Sequence, residues 1–259
     1  MSAPDNNSEL VGKKIFFLYP TISVQNRIVS ALIQQEYEVY VAKDKEKLKK
    51  ALSKYPDSIV FIDINEQMSE GEWDIWVTGI MDAPDMKDVS IGVITTNDDE
   101  QIIRKFLLAL KVACGYTVLG HDTEKAMTQI MAALQNVNAK GRRKYIRAVM
   151  ERGEISPTIN LPVDGNFVNG VIKDISVVGI SCTIAGNPEI PKNTLFKNIQ
   201  IRLQTTLLKV EGILFGTRTD GMDTIYVILL TQRVDPDVRS KIRTYIQHTL
   251  QLKINPDLE

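Results

Sequence analysis

Two rhythms divide this chain. Through its first 140 residues, short unbroken apolar runs alternate with stretches in which apolar positions recur every three or four. The unbroken runs lie at 14–19, 39–42, 58–62, 91–94 and 116–119. Strands read this way when both faces of their sheet are covered. Between the runs, Val24, Ile28, Ala31 and Leu32 share one helical face. So do Leu48, Ala51 and Leu52, then Trp73 and Trp76, then Ile102, Phe106, Leu107 and Leu110, and last Ala126, Ile130, Ala133 and Leu134. Five strand–helix units in this length predict a parallel sheet with helices on both faces.

From residue 156 the rhythm changes. Runs at 158–163, 167–173, 179–184, 195–203, 207–215 and 224–230 are parted by Gly186-Asn187-Pro188, Gly216 and Asp220-Gly221. Short strands with such turns predict an antiparallel sheet of about six strands, closed into a small barrel. Asp235-Pro236 then opens a helix with Val238, Ile242, Tyr245, Ile246 and Leu250 on one side. The expected layout is a disordered lead-in over 1–12, an α/β domain over 13–138, a join over 139–155, and a barrel with its closing helix over 156–259.

Composition narrows the function. The 259 residues carry 31 basic and 32 acidic side chains, a net charge of −1. A general nucleic-acid binder shows a basic excess, so no nucleic-acid polymer is expected as a partner and any anion site is local. Cys114 and Cys182 fall in different domains, which argues against a disulfide framework and for a reducing compartment. No apolar run reaches membrane-spanning length and the first residues lack a signal-peptide core, so cytoplasmic placement without membrane insertion is expected. His121 and His248, the only histidines, sit in different domains. No Cys/His cluster has metal spacing, and neither a glycine-rich phosphate loop nor a nucleophile elbow occurs. The expectation is a protein that is not an enzyme and carries no metal or cofactor.

The join holds the candidate chemistry. Gly141-Arg142-Arg143-Lys144-Tyr145-Ile146-Arg147 is rich in cations, with Arg143 and Arg147 four apart. Further on, an early strand of the barrel carries Asp174-Ile175-Ser176-Val177-Val178-Gly179. Either motif alone is common: cations suit a helix end, and Asp, Ser and Gly are ordinary turn residues. Together they can serve one ligand. Guanidinium groups fork onto phosphate oxygens or the O6/N7 edge of guanine, and a carboxylate accepts from the guanine N1–H and amino group.

An arginine-rich join followed by Asp-x-Ser-x-x-Gly, a barrel and a closing helix resembles the PilZ family of bacterial cyclic di-GMP receptors. The resemblance covers about residues 141–252. It implies a six-stranded PilZ-type barrel that binds cyclic di-GMP. Arg143 and Arg147 would be the principal arginines, Arg142 an accessory, and Asp174, Ser176 and Gly179 the barrel-side contacts. The messenger would change the domain arrangement and so regulate a still unidentified protein partner, in motility, adhesion or polysaccharide control.

The front domain is similar to a flavodoxin-like response-regulator receiver. Asp63 stands where receivers carry their phosphoacceptor, and Thr95 or Thr96 follows the fourth strand. The acidic pair after the first strand and the lysine after the fifth are missing. Phosphoryl transfer needs a cation held by several oxygens. A degenerate receiver is therefore expected, and a phosphorylation-driven regulator with a β-rich output domain is the alternative.

Overall fold

The structure, a computed structural model, describes residues 11–65, 67–120, 123–151 and 156–258. Most of the expected lead-in, His121, and residues 152–155 of the join lie outside the described residues. Two compact units form: residues 1–144 together with 251–259, and residues 145–250.

In the first unit β1 (Ile15–Leu18), β2 (Val39–Ala42), β3 (Ile59–Asp63), β4 (Ser90–Thr95) and β5 (Tyr116–Val118) make one parallel sheet, ordered β2-β1-β3-β4-β5. This is the doubly wound order in which the chain reverses direction beside β1. Every residue of β1 and β3 is buried, as strands covered on both faces require. The helices are α1 (22–34), α2 (Lys45–Lys54), α3 (Glu70–Met81), α4 (100–109) and α5 (Thr123–Asn136). Asp44 caps α2 through the amides of Glu46 and Lys47, and Ser69 and Glu72 form a capping box on α3.

Two helices depart from the sequence expectation. α1 is wound wide as π-helix over Gln25–Val29, and α4 over Lys105–Ala109. A π turn adds a residue and slips the apolar stripe. In α4 this leaves Phe106 buried, while Leu107, expected on the inner face, is exposed beside Leu108. Trp73 and Trp76 are buried, their rings edge to face at 5.9 Å, which is the packing role their spacing indicated.

In the second unit β6 (Ala148–Val149), β7 (Thr158–Val163), β8 (Asn166–Ser176), β9 (Gly179–Ile184), β10 (Leu195–Leu203), β11 (Thr206–Asp220) and β12 (Asp223–Leu230) are antiparallel. β8 closes a six-stranded barrel by pairing with β7 through its first part and β9 through its second. The two-residue β6 adds to β8 outside that ring. Gly170 lies where β8 changes partner. A Cβ there would meet the Thr183 carbonyl oxygen at 2.4 Å, so only glycine lets β8 and β9 approach. Inside, Ile172, Ile175, Ile180, Cys182, Ile199, Ile201, Tyr226 and Ile228 form the core.

α6 (Pro236–Leu258) opens on Asp235, whose side chain accepts from the Asp237 amide. Ile242 and Ile246 bury against the barrel core. The sequence assigns the whole helix to the barrel domain, yet residues 251–258 pack in the first unit. Gln251 accepts from the Val41 amide at 3.0 Å and donates to its carbonyl at 3.2 Å. β2 is an edge strand with unpaired backbone groups, and one side-chain amide satisfies both. Asp257 accepts from Lys54 at 2.8 Å and Tyr55 at 3.0 Å.

Candidate ligand-binding site

The site is organised by β8. After the bulge between Ile172 and Asp174, β8 pairs on one side with β9 and on the other with β6. β6 opposes Ala148 to Ile175 and Val149 to Asp174, so the join itself becomes a strand beside the barrel motif. Tyr145 and Ile146 pack on the barrel core just before it, and Ala148 is fully buried. Arg147 is therefore rooted between anchored neighbours while its side chain stays 45% exposed.

From that position Arg147 Nη1 lies 3.6 Å from Asp174 Oδ1, and the Asp174 side chain is 14% exposed. A charge-assisted hydrogen bond is shorter, about 2.7–2.9 Å. The pair is close enough to neutralise but not clenched, and both groups keep unused hydrogen-bonding capacity. Behind Asp174 sits Cys182, whose thiol is pushed up to about 12 by burial first and by the Asp174 charge second. The carboxylate thus stands between a dry core and an exposed cation.

Ser176 and Gly179 have local duties. Ser176 is buried; its hydroxyl donates to the Gly179 carbonyl at 3.1 Å and accepts from the Val178 amide at 3.4 Å. A Cβ on Gly179 would meet the Ile228 carbonyl oxygen at 3.1 Å, so β12 is what approaches this glycine closely. Arg142 and Arg143 lie on exposed chain that groups with the first unit. The structure brings together Arg147, Asp174, Ser176 and Gly179.

Two features of the barrel escaped the sequence reading. One is Arg239 of α6, which donates through Nη1 to the Val177 carbonyl at 2.8 Å and through Nη2 to the Thr231 carbonyl at 2.7 Å. An arginine in the first turn of a helix carries no sequence signal for this. The other is a cavity of about 700 Å³ on the outer wall, lined among others by Asn160, Asn169, Thr183, Arg202 and Asp223. It shares no residue with the motif.

In the first unit Asp63 ends β3 and is buried. Its Oδ1 accepts from both the backbone and side-chain amides of Asn65. Asn65 Oδ1 in turn accepts from Thr95 Oγ1 at 2.9 Å and from Thr96 N and Oγ1, each at 2.8 Å. A neutral amide thus links the strand-end acid to both threonines. Among the described residues no group of three or more His, Cys, Asp or Glu side chains could hold a metal ion. Among the described residues no helix is long and apolar enough to cross a membrane.

No family model matches the chain, and no curated protein matches it. Solved structures similar to the chain include a PilZ domain and a response regulator. The chain is similar to the PilZ domain with c-di-GMP of YcgR from Escherichia coli, at 16% identity and TM-score 0.38, over 44% of this chain and 96% of that one. It is similar to the MrkH–c-di-GMP complex of K. pneumonia, at 16% identity and TM-score 0.39, over 46% of this chain and 56% of that one, so it spans little more than half of MrkH. It is also similar to the Mn(2+)-bound response regulator Rcp1, at 17% identity and TM-score 0.39, over 48% of this chain and 92% of that one. Likenesses at this level assign no function.

Proposed function

We propose that this protein is a cyclic di-GMP-binding effector. The messenger docks on the barrel beside the join, with Arg147 and Arg143 taking its phosphates or the O6/N7 edge of its guanines. Arg142 assists. Asp174 accepts from a guanine N1–H and amino group, while Ser176 and Gly179 shape the ledge. Occupancy orders the join and changes the arrangement of the two domains, and with it the surface offered to a protein partner. A ligand can do this only if it binds one arrangement better than the other.

The observation that carries the reading is the loose Arg147–Asp174 pair, set on the barrel by β6. A cation and a carboxylate held side by side, one exposed and one half-sheltered, match a ligand that is both anionic and a double hydrogen-bond donor. Each group exchanges a weak mutual contact for a stronger one to the ligand.

The test is calorimetric titration of the purified chain with cyclic di-GMP. Binding is expected in the parent, and Arg143→Ala and Arg147→Ala should each weaken it by about 2–4 kcal/mol, the loss of a charge-assisted forked contact. Equal affinity in parent and variants would move the site elsewhere on the molecule.

A further inference from the structure

The turn between Asp174 and Gly179 is built in an unusual way. Ser176 pairs with Gly179, which leaves only Val177 and Val178 to reverse the chain. Two-residue hairpins favour turns with positive φ, because those match the twist of the strands; turns with negative φ splay them. Other hairpins of this barrel follow that rule, with Asp164 at φ 48°, Gly165 at 83°, Gln204 at 53° and Gly221 at 61°. Neither Val177 nor Val178 has a positive φ, and β-branched residues resist it. The motif turn is therefore poor in intrinsic preference and is held by its surroundings.

Three contacts hold it. The Ser176 hydroxyl bridges it from within. The Leu230 amide donates to the Val178 carbonyl at 2.9 Å. Arg239 grips the Val177 carbonyl and, with its second nitrogen, the Thr231 carbonyl at the end of β12. A cation in the first turn of a helix opposes the helix dipole. Arg239 stands there with two backbone carbonyls as its compensation, half-buried, on the helix whose Ile242 and Ile246 enter the barrel core.

Resting on the cyclic di-GMP reading, we infer that Arg239 is a positioning residue for the ligand turn and the link that carries ligand arrival to α6. As found, the Ser176 hydroxyl is spent inside the turn. A ligand that engages it draws it from the Gly179 carbonyl and changes the turn. The Val177 carbonyl moves with the turn, and the guanidinium bonded to it carries the change into the first turns of α6. The same grip limits how far the turn opens and so keeps Asp174 in register with Arg147.

The experiment is hydrogen exchange by mass spectrometry on the full chain, with and without saturating cyclic di-GMP, alongside calorimetric titration. Parent, Arg239→Ala and Arg239→Lys are compared. In the parent, ligand should slow exchange both in the peptide holding residues 174–179 and in the first half of α6. Arg239→Ala should bind about tenfold more weakly and, at matched saturation, protect the turn but not α6. Arg239→Lys keeps the charge and the stem but not the fork; it should fall between the two, and it serves as the readout if the alanine variant does not fold. Undiminished affinity with α6 still protected in folded variants overturns the role of Arg239 and leaves the ligand reading standing. Absence of cyclic di-GMP uptake by the folded parent overturns both.

Discussion

Arg147 and Asp174 separate a structural ion pair from a ligand site. At 3.6 Å, with Arg147 about half exposed, their attraction is screened, and such surface pairs contribute about 0–1 kcal/mol. Arg147→Ala should accordingly shift the urea unfolding free energy by less than about 1 kcal/mol while costing several times that in cyclic di-GMP affinity. A stability loss as large as the affinity loss would make the pair structural. Gly170 shows the opposite balance. Its Cβ would strike a backbone oxygen at 2.4 Å, which cannot swing aside. Gly170→Ala should destabilise by about 1–3 kcal/mol or more, as overpacking does, read from the far-UV urea midpoint. The motif was legible in the sequence because cation, acid, hydroxyl and glycine are each chemically marked. What they do in the fold was not. That Ser176 also braces a turn and Gly179 also admits β12 was hidden, because burial and close approach depend on strands far off in sequence.

Elements built on local rules were the easiest to foresee. The βα order of the first unit follows from unbroken apolar runs, and the barrel from alternation parted by glycine, proline and aspartate. The strand β6 was hidden: two residues carry no periodicity, and only pairing to β8 makes them a strand. The wide turns in α1 and α4 were hidden too, since a π turn breaks the very spacing by which helices are recognised. At the end of β3, the linked Asp63, Asn65, Thr95 and Thr96 bear on the alternative reading. No acid follows β1, where Tyr19 and Pro20 stand, and the side-chain amide of Asn65 donates to Asp63 Oδ1. A phosphoryl group needs a bound cation to offset its charge. Incubation with acetyl phosphate and Mg²⁺ should therefore leave the intact mass unchanged. A stable adduct at Asp63 would restore the phosphorylation-driven reading.

At the scale of the molecule, the division of α6 is the feature with a measurable consequence. Its residues 251–258 belong to the first unit, where Ile254 and Leu258 are buried, Gln251 completes the edge of β2, and Asp257 meets Lys54 and Tyr55. Burying two such apolar side chains contributes about 3 kcal/mol or somewhat more. Both tryptophans of the chain, Trp73 and Trp76, lie in α3, so tryptophan fluorescence reports on the first unit alone. Removing residues 251–259 should lower the fluorescence-detected unfolding free energy by about that amount, with the barrel's transition, followed by hydrogen exchange of β8–β12, little changed. The Asp257 contact adds a pH signature. The hydrogen bond from Lys54, with a smaller one from Tyr55, holds the Asp257 carboxyl below the ordinary aspartate value of 3.8, so its contribution is present above that pH and is lost as pH falls through the lowered value. Lys54 is raised by its bond to Asp257, and Tyr55 is raised by burial first and by Asp257 second. Their contributions hold below their ordinary values of 10.5 and 10.0 and fade as pH rises through the raised ones. The intact chain should therefore lose more of its fluorescence-detected stability than the truncated chain at both pH extremes, and the two should run parallel between about pH 5 and 9. Parallel curves across the whole range would show that the Asp257 cluster adds nothing and that residues 251–258 act through their apolar contacts alone.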